Sequence, residues 1–124
     1  MSEKVKILYV DDEFINLQLF EINFRKKYQV ITALDGLKGL EILEANPEIR
    51  IVVSDMRMPK MNGIEFIKQA KQRYPDKRFF ILTGFEITEE IQSALNSGLI
   101  LRYFQKPFNI DEIDCALTKV IDRE

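Results

Sequence analysis

The constraint that narrows the fold most is a series of short, near-continuous apolar runs, at residues 5–10, 29–34, 50–54, 78–82 and 100–104. Runs of this length that do not alternate with polar residues suit strands covered on both faces, as in a parallel sheet. Helical patterns fill the gaps. Ile15, Leu19, Ile22 and the nearby Phe20 predict an inward stripe on the first helix. Asp35 predicts an N-cap for the second, with Leu37, Leu40 and Leu43 facing inward, and Asn46-Pro47 closes it. Gly63 opens the third, which carries Ile64, Ile67 and Ala70 and ends near Tyr74-Pro75. The fourth holds Ile87, Ile91 and Leu95 and stops at Ser97-Gly98, a glycine cap signal. The last begins at Asn109, with Ile110, Ile113, Leu117, Val120 and Ile121 at helical spacing. Five such βα units predict a doubly wound α/β domain: a five-stranded parallel sheet in the flavodoxin-like order 2-1-3-4-5, with helices on both faces.

Bulk properties bound the function classes. The 124 residues fit one domain, expected to span 1–124, and a chain of this length buries roughly two-thirds of its unfolded surface. A net charge of -2 gives no electrostatic reason to expect direct nucleic-acid binding. Arg25-Lys26-Lys27 reads as a helix-end cation cluster and Lys77-Arg78 as a solvated turn. Cys115, flanked by Ile113 and Leu117, reads as an inert core or near-core thiol. No apolar stretch approaches the ~20 residues of a membrane span and no signal-peptide core follows Met1, so the cytoplasm is the expected compartment. The chain has no histidine, which excludes a Ser/His/Asp triad, a histidine metal site and a phosphohistidine of its own.

Four of the runs stop at residues suited to phosphate chemistry. The first ends at Asp11-Asp12, the third at Asp55, the fourth at Thr83 and the fifth at Lys106. The second, an expected edge strand, ends at Ala33-Leu34 with no such group. Ends of adjacent parallel strands share one crevice. Three carboxylates there repel one another unless protons or a cation intervene. Oxygen-only ligands favour Mg²⁺, with Mn²⁺ as the other choice. Taken singly, each aspartate also fits a cap or turn, and Thr83 beside Gly84 a turn hydroxyl. Lys106, between Tyr103-Phe104 and Pro107-Phe108, resists such a reading because its surroundings are apolar.

In order and spacing these residues resemble the receiver domain of two-component response regulators. The similarity covers essentially the whole chain. It rests on Asp11-Asp12, on Asp55 with Met58, Pro59, Met61 and Gly63, on Thr83-Gly84 and on Lys106-Pro107. The resemblance implies that Asp55 accepts a phosphoryl group from a sensor histidine kinase or phosphotransfer protein. It implies a Mg²⁺ site from Asp11, Asp12, Asp55 and the Arg57 backbone carbonyl. Thr83 and Lys106 would bind the phosphoryl group, Tyr103 would be the aromatic switch, and the bond before Pro107 would be cis. Such a domain is a signalling switch that catalyses only its own phosphorylation and dephosphorylation. Output would pass through residues 86–96, 100–104 and 109–120 to an unidentified partner or a fused effector domain.

Rival readings are a pseudo-receiver without phosphotransfer, a haloacid dehalogenase-type phosphatase and a flavodoxin. The acceptor, metal and lysine positions oppose the first. Asp11-Asp12-Glu13 lacks the D-x-D of the second, and no Ser/Thr/Gly-rich loop follows Val10 for the third. Arg57 and Phe85, each two residues beyond a site residue, are positions where the resemblance implies control of dephosphorylation. Bulky Phe85 should hinder water. Replacing Phe85 with Ala is expected to shorten the phosphorylated lifetime, measured as the autodephosphorylation rate, and an unchanged rate contradicts it.

Overall fold

The computed structural model describes residues 4–84 and 87–123. Strands β1 (Val5–Val10), β2 (Tyr28–Ala33), β3 (Ile51–Asp55), β4 (Arg78–Thr83) and β5 (Arg102–Gln105) alternate with helices α1 (Phe14–Phe24), α2 (Gly36–Ala45), α3 (Gly63–Arg73), α4 (Glu89–Asn96) and α5 (Ile110–Asp122). The strands form one parallel sheet in the order β2-β1-β3-β4-β5. The doubly wound flavodoxin-like topology expected from the apolar runs is therefore the one observed. The fourth helix was expected to begin at Glu86, which lies outside the described residues.

Alternation along each strand divides the interior into two layers. Leu8 and Val10 of β1, Val52 of β3, and Phe79 and Ile81 of β4 face α2, α3 and α4. Ile7, Tyr9, Ile51, Val53, Phe80 and Leu82 face α1 and α5. All these side chains are buried, so β1, β3 and β4 read as near-continuous apolar runs because neither face is wet over most of their length.

The helix ends follow local chemistry. The Asp35 carboxylate accepts a hydrogen bond from Lys38 N at 2.8 Å and Asn109 Oδ1 one from Glu112 N at 2.9 Å. Asn62 and Glu65 form a reciprocal capping box at the start of α3. Gly98 adopts φ 81 beyond α4, a left-handed conformation that glycine takes without a Cβ penalty.

Several expectations are corrected. On α1 the buried residues are Leu17, Phe20 and Phe24, whereas Ile15, Leu19 and Ile22 are exposed. Apolar residues surround this helix, so periodicity could not choose its inner face. The aromatic packing of Phe20 on Tyr9, and of Phe24 against Phe20 and Tyr28, does so. Leu37 is exposed at the first turn of α2, while Leu40 and Leu43 are buried. Cys115 points to solvent because Ile113, Ala116 and Leu117 take the inner face of α5.

Lys77 is not solvated: its ammonium donates to Pro47 O and Ile49 O and lies over the Tyr74 ring. Arg78 opens β4 rather than a turn. β5 starts at Arg102, two residues later than expected, because Ile100 N bonds back to Ala94 O. β3 and β4 each extend one residue further, which makes Asp55 and Thr83 their last members.

Gly63 is where α3 comes closest to the end of β3. A Cβ built there would stand 2.3 Å from Asp55 O and 2.9 Å from Ile81 Cδ1. Gly63 N also donates to Met56 O at 2.8 Å. Gly63→Ala is expected to destabilise the fold by about 1–3 kcal/mol, the usual range for overpacking, read from urea unfolding.

Candidate functional site

Asp11, Asp12, Asp55, Thr83 and Lys106 all lie at the C-terminal edge of the sheet, on the ends of β1, β3, β4 and β5 or in the turns that follow. Asp11 is fully buried, Asp55 and Thr83 are buried, and Asp12 is exposed. One carboxylate oxygen from each of Asp11, Asp12 and Asp55 falls within 4.8 Å of the others.

Asp11 is saturated with donors. Its Oδ1 accepts from Glu13 N at 2.9 Å, which fixes the turn into α1. Its Oδ2 accepts from Tyr9 OH at 2.6 Å and Lys106 Nζ at 2.9 Å. The turn-forming role and a place in the site are thus combined in one side chain. The Lys106 ammonium also reaches Asp55 Oδ1 at 3.2 Å. Lys106 N donates to Thr83 O at 2.8 Å, so the ends of β4 and β5 are joined by backbone. The Lys106–Pro107 bond is cis.

Charge and burial set the protonation. Burial, then repulsion from Asp11, pushes the Asp55 carboxyl up to about 6, against the opposing pull of Lys106. Burial alone would lower the Lys106 pKa, but the Asp11 and Asp55 carboxylates outweigh it and raise it. Two or three carboxylates with water fit a hard divalent cation, and the donors here are all oxygen.

A cleft of about 850 Å³ lies at the opposite edge of the sheet between Lys4, Lys6, Arg25 and Arg50. A smaller one of about 240 Å³, lined by Met56, Arg57, Thr83 and Ile91, adjoins the site. Tyr103 is half-buried beside the α2–α4 layer and lines a separate cleft with Leu95 and Pro107. The Arg57 side chain is exposed. Phe85 lies outside the described residues. Tyr9 is the site residue that the sequence reading passed over. The available signal was a tyrosine in a mostly aliphatic inner strand, two residues before Asp11 and so on the same side of the sheet.

The model of the response regulator receiver domain matches residues 7–118. The chain belongs to the receiver domain family. Over 118 residues this receiver is 37% identical to sporulation initiation phosphotransferase F of Bacillus subtilis, covering 94% of this chain and 93% of that protein. It is 25% identical to the hydrogenase transcriptional regulatory protein HoxA of Cupriavidus necator, but spans only 26% of that longer protein. A receiver domain protein from Clostridium thermocellum superposes with a TM-score of 0.89 at 30% identity, over 96% of this chain and 95% of that one. Receivers are phosphorylation switches of two-component signalling, and that is the general function of this chain. No helix among the described residues is long and apolar enough to cross a membrane.

The raised Asp55 pKa has a thermodynamic sign. The folded protein holds this proton more tightly than the unfolded chain, so the contribution of Asp55 to stability falls as pH rises from about 4 to about 6. In metal-free buffer at neutral pH, Asp55→Asn is expected to stabilise the protein by on the order of 2 kcal/mol. The gain should shrink as pH falls toward 4. Urea unfolding with chelator at several pH values measures it, and a gain independent of pH contradicts it.

Proposed function

We propose that Asp55 accepts a phosphoryl group from a histidine kinase or phosphotransfer protein, and that Asp11, Asp12, Asp55 and the Arg57 carbonyl hold Mg²⁺ for that transfer, with Mn²⁺ able to substitute. The observation that carries this reading is the meeting of three carboxylates with one ammonium, Lys106 Nζ being 3.2 Å from Asp55 Oδ1. An Asp55 oxygen attacks phosphorus, the P–N bond to the donor histidine breaks, and the imidazole leaves with its electron pair. An acyl phosphate remains on Asp55, which water later hydrolyses. When bound, Mg²⁺ supplies charge neutralisation to the phosphoryl oxygens.

The chain's own groups do the rest. The end of β3 presents the nucleophile, and Gly63 lets α3 close against its backbone. Lys106 turns part of its charge from Asp11 and Asp55 to the incoming oxygens. Thr83 then donates its hydroxyl to a phosphoryl oxygen, and Tyr103 follows inward. The α4–β5–α5 face carries the change to an output partner or a fused effector domain. The reading takes residues 1–124 as one receiver domain acting in the cytoplasm.

Intact mass after incubation with Mg²⁺ and acetyl phosphate tests it. One phosphoryl adduct is expected, lost in Asp55→Asn and lost without metal. No adduct under any condition points to a pseudo-receiver. Sustained phosphate release from unrelated phosphoesters points to a phosphatase.

A further inference from the structure

We propose that Tyr9 is a positioning residue for the metal and phosphoryl site, its hydroxyl holding the Asp11 carboxylate in one orientation when Lys106 turns to the phosphoryl group. The inference rests on the function proposed above and extends it to a residue inside the core.

Tyr9 is fully buried in β1 among Ile7, Leu8 and Val10. A phenol in such surroundings is unfavourable unless its hydroxyl finds a partner. That partner is Asp11 Oδ2, at 2.6 Å. The ring is stacked on Phe20, with centroids 4.3 Å apart and planes 17° from parallel. Phenylalanine would make the same stack, so packing does not account for the oxygen atom.

The three donors to Asp11 differ in mobility. Glu13 N belongs to the turn that opens α1, and Tyr9 is locked in the core. Lys106 alone is a long, partly exposed side chain, and it alone is shared with Asp55. Once the ammonium engages a phosphoryl group on Asp55, Asp11 Oδ2 depends on Tyr9 for its remaining protein donor. Phe20 in turn meets Phe108 edge-on at 5.9 Å, two residues beyond Lys106.

Outer partners of metal-ligating carboxylates commonly contribute about 10–100-fold to metal affinity. Tyr9→Phe keeps the ring and removes the hydroxyl. Isothermal titration with Mg²⁺ is expected to show affinity about tenfold weaker than wild type, and acetyl phosphate labelling should recover at saturating Mg²⁺. Phe20→Leu is the counterpart: it disturbs the stack and keeps the hydroxyl, so it should lower the unfolding midpoint and leave Mg²⁺ affinity within about twofold. A Tyr9→Phe affinity equal to wild type overturns the proposal, as does an equal loss in both variants, which would assign Tyr9 to packing alone. A wild-type protein that binds no Mg²⁺ overturns the proposed function and this inference together. Binding by wild type with no effect of Tyr9→Phe overturns only the inference.

Discussion

The Lys106 ammonium is the charge on which the rest of the site depends. Asp11 and Asp55 end strands that are buried on both faces, so their carboxylates meet each other with little water between them. Two anions in that position repel, and each loses hydration. A cation from the residue that follows β5, within 3.2 Å of both, offsets the repulsion. The site is therefore electrostatically tense but not unsatisfied. No buried side-chain polar atom among the described residues lacks a hydrogen-bond partner.

This tension is held by geometry that lies in the backbone. Parallel strands bring the ends of β1, β3, β4 and β5 to one edge without any long loop. The two-layer core fixes the strands, and α3 is drawn against the end of β3 where Gly63 leaves no side chain. The Lys106 N–Thr83 O bond makes Thr83 and Lys106 part of one ladder.

Much of this was legible in the sequence, for physical reasons. Strand runs buried on both faces are mostly apolar, so β1 and β4 were legible within a residue of their observed ends. The caps at Asp35 and Asn109 are local and were legible for the same reason. The capping box of Asn62 and Glu65 was equally local and was overlooked. The inner face of α1 was not legible, because Ile, Leu and Phe occur around its whole circumference and long-range ring contacts decide the outcome. Lys77 and Tyr9 were missed for related reasons. The partners of Lys77 lie 28 and 30 residues away, and that of Tyr9 depends on the side chain alternating back to the same face as Asp11.

Lys77 gives β3 a second fixed point. Its ammonium grips the carbonyls of Pro47 and Ile49 just before β3, while Lys106 sits at the far end beside Asp55. The strand is pinned by a lysine at each end and hydrogen-bonded to β1 and β4 along its length. It cannot slide along its axis to relieve added charge. β3 is thus a platform beneath Asp55 that is tied at both ends and along both edges.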